Sequence, residues 1–319
     1  MKLATILGLG AVALMAQTAQ GSAQSYPNEQ VKIIVPFGAG SVTDTLARVL
    51  ADKLGPMWKQ TVLVENRPGL PGTTSVAKAP ANGYTLMVTS NGHVIAKTIN
   101  KNVQFDPVGD FVGISRLVEV PFIVIVPPTL PVKSLQEFID LAKKEPGKHN
   151  FTSAGVASTT FLAGETFRQA AGLQLVHFPT KGVPGAMTAI LRGDASFWFA
   201  PIPNAIEQGT AGKVRMLAVS SPERHKDAPN VPTVAEAGAP TFKYGSWFGL
   251  MAPKGTPKAV VDKVNADVRA VLKMPDVIAR LTTLGSLPSP NSPAEFDALI
   301  KADEKVYAAL LKNAGLQAK

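Results

Sequence analysis

Apolar positions along the chain alternate between two periods. Short β-branched runs read as strands, and apolar stripes at helical spacing follow them. Val31, Ile33, Ile34 and Val35 form the first run, of the kind buried on both faces of a sheet. Pro36 has no N–H for a ladder and ends it. Val42, Leu46, Val49 and Leu50 then predict a helix over 41–55, with Ser41 and Asp44 in the S-x-x-D relation of a near capping box. The same reading predicts strands at 61–65 and 84–89, a short helix over 72–78 ended by Pro80, and a helix near 93–100. Strands alternating with helices imply βαβ units and a mainly parallel sheet.

The apolar stretch 112–126 is too long for one strand and is interrupted by Pro121, so it predicts two strands, the second crossing between domains. A second α/β unit follows. It has a helix from the Ser134/Glu137 capping box, strands at 150–153, 175–178, 196–200 and 214–219, and helices over 158–171 and 181–191. A further apolar strand at 247–252 carries the chain back. The rest reads as helical: a stripe of Val260, Val264, Val268, Val271 and Leu272 after Thr256-Pro257, then a last helix opened by Ser292, Pro293 and Glu295. Crossings near 121–128 and 247–255 predict two lobes, one from 24–124 plus 250–319 and the other from 125–249, with a small-molecule site between them.

Composition narrows the class. Among 319 residues, 45% are apolar, enough for large cores, and Gly and Pro are frequent, as tight strand–helix turns require. There is no Cys, which excludes disulfides and thiolate chemistry. The formal charge is +9, but no block of five Lys or Arg exists, so the surface reads as solvated and basic, with no nucleic-acid partner expected. A positive field raises the arrival rate of anionic solutes. Lys2, the apolar 3–15 segment and Gly21-Ser22-Ala23 read as a cleavable leader over 1–23, which predicts export to the periplasm.

Enzymatic chemistry finds little support. Gly38-Ala39-Gly40 with Glu65 gives two thirds of a dinucleotide fingerprint, but Thr43 stands at the third glycine. A P-loop and a G-x-S-x-G elbow are both missing from the sequence. His149 and His225 sit in Lys-rich loops and read as surface, and His177 reads as a structural residue in a strand. His93, after Ser90-Asn91-Gly92, is either a cleft residue or a structural one. No two His stand at ligand spacing, so neither a metal nor a cofactor is expected.

Two corners carry anion chemistry instead. Phe37, Gly38, Ala39, Gly40, Ser41 and Asp44 bring small residues and hydroxyls to a helix N-terminus at a strand end. Ser153, Ala154, Gly155, Ser158 and Thr159 repeat that pattern in the second unit, where ordinary capping is the competing reading.

The run Val35-Pro36-Phe37-Gly38-Ala39-Gly40-Ser41-Val42-Thr43-Asp44 resembles the first motif of the Bug (TctC-type) extracytoplasmic solute receptors, the binding proteins of tripartite tricarboxylate transporters. Further ordered matches support it: Val64-Glu65-Asn66-Arg67-Pro68-Gly69, Asn82-Gly83-Tyr84-Thr85-Leu86, Leu162-Ala163-Gly164-Glu165, Val231-Pro232-Thr233-Val234 and Trp247-Phe248-Gly249-Leu250. The resemblance implies a two-lobed periplasmic-binding-protein fold of type II-like form that is not an enzyme. It implies a carboxylate held by backbone groups, with Phe37, Gly38, Ser41, Ser90, Ser158 and Thr159 in that role. Lys181, in the matching Lys181-Gly182 loop, assists an anion or is simply exposed. Phe161 and Ala200 depart from the family's usual His and Asp. Ala200 removes a charge, which argues against an amino-acid ligand, whereas Phe37, Phe161 and Trp198 suggest an apolar or aromatic wall and a ligand with an apolar body, or else plain core packing. The expected partners are a small carboxylate and membrane transporter subunits, and the expected state is a monomer. A ligand-sensing role toward a membrane kinase, and more remotely a periplasmic hydrolase, are the alternatives.

Overall fold

A computed structural model describes residues 26–156 and 158–318. The expected leader and its cleavage point lie outside them. In chain order the elements are β1 (Val31–Val35), α1 (Val42–Trp58), β2 (Val62–Asn66), α2 (Leu70–Ala77), β3 (Thr85–Ser90), a 3₁₀ turn (Asn91–Ile95), α3 (Ala96–Ile99), β4 (Phe111–Glu119) and β5 (Phe122–Val126). There follow α4 (Leu135–Lys144), β6 (Asn150–Ser153), α5 (Thr159–Ala170), β7 (Val176–Pro179), α6 (Gly182–Arg192), β8 (Trp198–Pro201), α7 (Ile202–Thr210) and β9 (Arg215–Val219). The chain ends with β10 (Trp247–Pro253), α8 (Lys258–Val271), α9 (Pro275–Thr283), β11 (Leu287–Pro288) and α10 (Pro293–Asn313).

Two lobes result. The first is a six-stranded sheet in the order β11-β4-β10-β3-β1-β2. The second joins β8-β5-β9 to the β6-β7 pair through a parallel bridge between Phe151 and Phe197. Most strands of each lobe point one way. β10 runs against β3 and β4, and β5 runs against β8 and β9. Each of these is the strand that arrives from the other lobe. It enters at the edge where its neighbours end, so the carboxyl ends of β1 and β3 face those of β6, β7 and β8 across the crossing.

The crossing is short. β4 gives way to β5 at Val120-Pro121, because Pro121 offers no ladder N–H. The return passes through Tyr244–Ser246. Ser246 Oγ accepts from Val120 N (3.2 Å) and donates to Val120 O, which ties the two passages together. The boundaries expected from sequence, 124/125 and 249/250, fall inside β5 and β10. Those strands lie wholly in the second and first sheets respectively, so the lobes part at 120/121 and near 246.

The helices start where the sequence places caps. Ser41, Ser134, Ser158 and Ser292 each accept a hydrogen bond from the third helical N–H, and Ser292 with Glu295 completes a capping box. α1 outruns its predicted end: it carries Pro56 inside and stops only at Lys59, in the left-handed region (φ 53°). α7 was not apparent from its apolar pattern; its only mark is Pro at the opening turn. The second lobe is built around Phe138, Phe151, Phe167, Phe197 and Phe199, which pack largely edge to face. Among the described residues, no helix is long and apolar enough to cross a membrane.

Candidate functional site

The loop after β1 rises from a rigid base. Asp44 is buried, and its carboxylate accepts from Gly40 N (2.9 Å), Arg48 Nε (3.1 Å) and Asn66 Nδ2 (2.9 Å). Burial works to raise its pKa, but the Arg48, Gly40 and Asn66 hydrogen bonds outweigh it and hold the group below the usual carboxylate range. Asn66 Nδ2 also donates to Phe37 O (3.2 Å). Asp44 is therefore a brace for the loop rather than the ligand contact expected of it: its oxygens are already taken.

What the brace supports is open. Gly38, Ala39 and Gly40 are exposed, and the space beside the Gly38 Cα is empty to 4 Å. Gly40 adopts φ +79°, which favours glycine. Ser41 Oγ caps Asp44 N (3.2 Å) and meets Thr43 Oγ1 (2.9 Å). Among the described residues, no acceptor is bonded to the N–H groups of Gly38, Ala39, Val42 or Thr43. The positive end of α1 thus presents free donors at the carboxyl edge of the sheet.

The corner after β6 is tighter. Ser153 is buried, and its Oγ is engaged with His177 Nε2 (2.8 Å), Gly155 O and Gly155 N. Ala154 N donates to Thr160 Oγ1 (3.0 Å), and Ser158 Oγ caps Phe161 N (3.1 Å). Among the described residues, the N–H groups of Thr159 and Thr160 are left without an acceptor, at the start of α5. The β7–α6 loop packs alongside: Thr180 N and Gly182 N donate to Ser153 O (3.1 Å) and Ala154 O (3.2 Å). Lys181, in this loop, is exposed and has no ion pair among the described residues. The exposed Val156 adds an apolar contact surface that sequence inspection missed.

Several expected site residues lie elsewhere. His93 is buried, bonded to Pro107 O (2.8 Å), and packed on Phe105 and Phe111. Burial takes its pKa down to about 4, so it is a neutral core residue and not a cleft residue. Phe161, Trp198 and Ala200 are fully buried, because β8 is covered on both faces and α5 turns Phe161 onto His177. The aromatic wall therefore loses all its members except the half-buried Phe37. Ser90 is buried at the end of β3, paired with Phe248 of β10. His149 and His225, read as surface, are buried as well, and His149 bonds Glu145 (3.0 Å). Among the described residues, no cluster of His, Asp or Glu could hold a metal ion.

One connection was not visible in sequence. Tyr244, in the returning passage, donates to Thr159 O (2.5 Å) and accepts from Asn91 Nδ2 (3.2 Å). It thus links the end of β3 in one lobe to the first residue of α5 in the other.

Two α/β lobes whose strand ends and helix N-termini converge on one cleft define a solute-binding receptor rather than an enzyme. The chain belongs to the tripartite tricarboxylate transporter receptor family: the model named "Tripartite tricarboxylate transporter family receptor" matches residues 46–316. Its relatives include Protein BugT of Bordetella pertussis, 31% identical, with 93% of this chain and 93% of BugT aligned. A Rhodopseudomonas palustris protein in a structure with adipate is 30% identical, with TM-score 0.80 over 91% of this chain and 98% of the other. MatC from Rhodopseudomonas palustris, with bound malate, is 30% identical, with TM-score 0.77 over 90% of this chain and 100% of MatC.

Proposed function

We propose that the protein captures a small organic dicarboxylate in its interlobe cleft, in the periplasm, and delivers it to the membrane subunits of a tripartite tricarboxylate-type transporter. The observation that carries this reading is the pair of helix N-termini, α1 and α5, with free N–H groups at facing strand edges. One carboxylate sits on the Gly38–Ser41 loop and the first turn of α1. The other sits toward Thr159 and Thr160, with Lys181 at the rim. Charge-assisted hydrogen bonds contribute roughly 1.5–3 kcal/mol each. Several of them, less the cost of ordering the ligand, reach micromolar affinity at about −8 kcal/mol. The similar proteins with adipate and malate favour two carboxylates on an aliphatic body.

A thermal-shift screen of the mature protein against mono-, di- and tricarboxylates tests this. Ligand at about 100 times its Kd adds roughly 2.7 kcal/mol, a shift of several degrees. Dicarboxylates should give the largest shifts, and Gly38→Leu should abolish them. Absence of any shift across the panel, or one unchanged in Gly38→Leu, rejects the cleft site.

A further inference from the structure

We propose that a second, hinge-side cavity between the lobes is a site for a small organic ammonium ion with a compact apolar body, anchored by Asp303. The cavity measures about 610 Å³, a usual size for a small-molecule site, and none of the cleft residues expected from sequence lines it. The first lobe contributes Asp303, Tyr307 and Leu310 of α10. The second contributes Thr166 and Gln169 of α5, and the returning passage contributes Phe242 and Tyr244.

The wall is mostly apolar and aromatic, with one carboxylate that lacks a counter-ion. Asp303 Oδ2 accepts from Trp247 Nε1 (2.7 Å), and among the described residues no cation pairs with it. Glu119 also lines the cavity, but Arg116 neutralises it. Lys243 stands at the exposed rim and bonds neither acid. Burial lifts Asp303 to about 6, as expected for an anion without a partner. An ammonium ion supplies that partner. The rings of Phe242, Tyr244 and Tyr307, which line the cavity, suit its positive charge and its alkyl body together.

Hydrogen bonds tie the cavity's lining to the cleft. Tyr244 and Tyr307 both accept from Asn91 Nδ2 (3.2 and 3.3 Å), and Tyr244 holds the first residue of α5. Both lobes line the cavity, so its shape changes with lobe rotation, and an occupant biases that rotation.

The test is calorimetric titration of the mature protein with n-butylammonium and choline up to about 10 mM, at matched ionic strength, with n-butanol and butyrate as controls. Saturable binding of the ammonium ions is expected, with none for butanol. Asp303→Asn keeps the Trp247 acceptor and should remove the binding; Leu310→Trp fills the cavity and should do the same. Gly38→Leu should leave it intact while losing the carboxylate response, so this site and the cleft site fail separately. Lack of ammonium binding, or equal binding by wild type and both variants, overturns the proposal. Butyrate binding at the cavity that survives Gly38→Leu and is lost in Leu310→Trp overturns it too, because it would make the site anionic in preference.

Discussion

The two corners that face each other across the cleft share a sequence pattern and differ in where their polar groups are committed. After β1, the polar side chains lie beneath the loop. Asp44, Arg48 and Asn66 lock together, and the loop's own N–H groups stay free. After β6, the loop consumes most of its own donors. Ser153 and Thr160 take up Gly155 N and Ala154 N, and a neutral His177 backs the turn. An ionic brace leaves a donor-rich surface, whereas a hydroxyl-and-imidazole brace leaves only the helix N-terminus. On the function proposed above, the first lobe would be the main carboxylate seat, with the second closing on it.

The largest effect should come from breaking this asymmetry at its exposed glycines. Gly38→Leu meets empty space and should keep the wild-type Tm. It covers the donors, so affinity for the best carboxylate should fall by at least about 100-fold, since two charge-assisted hydrogen bonds contribute roughly 3–6 kcal/mol. Gly155→Ala should behave differently. At φ +121°, with Thr180 O 3.4 Å from the new Cβ, it should lose about 1–3 kcal/mol of stability with a smaller change in affinity. Calorimetry and urea unfolding on the two variants separate these outcomes. Equal losses of stability in both would contradict the contrast.

Next in size is the brace itself. Asp44→Ala strands Gly40 N, Asn66 and Arg48 together. It should cost about 2–3 kcal/mol of stability and loosen the loop enough to weaken carboxylate binding about tenfold. Arg48→Lys, which keeps one contact of the fork, should cost less. If Asp44→Ala left affinity untouched, the loop would not depend on its base.

Much of this frame was legible in sequence, and the reason is local. Strand runs, Ser41, Ser134, Ser158 and Ser292 as caps, and Pro121 as the break all act within a few residues of themselves. The family resemblance added the expectation of a backbone-lined carboxylate site. The commitments of individual side chains were not legible, because their partners lie far along the chain. Asp44 meets Asn66, Ser153 meets His177, and His93 is tied down by the carbonyl of Pro107, which no residue type announces. Phe161 and Ala200 were expected at the site because they stand where the resemblance puts His and Asp, and only the packing of α5 and β8 shows that they are buried in the core. The hinge limits were blurred for a similar reason. β5 and β10 are apolar from end to end, so nothing in them marks where one sheet stops and the other begins.

The smallest effect, and the one that sharpens the contrast between the braces, is their response to acid. His177 lies between Phe151 and Phe161, and burial lowers its pKa to about 4 from 6.5. With Nε2–H donating to Ser153 Oγ, and that hydroxyl donating to Gly155 O, the neutral ring satisfies the turn. The folded form therefore resists a proton that the unfolded chain accepts below pH 6.5, so stability falls as pH drops from 6.5 through 4. His93 is shifted the same way and adds to the same window. Asp44 is shifted downward, so its contribution persists across that window and is lost only at lower pH. His177→Gln keeps a donor for Ser153 and removes the titration. Between pH 7.5 and 5 its loss of stability should be smaller than the wild type's by on the order of 1 kcal/mol, after discounting for partial exposure. Urea midpoints at the two pH values measure it. An unchanged difference would mean that the second lobe's turn does not depend on a neutral imidazole, and that its firmness comes from the Thr160 and Ser153 hydroxyls alone.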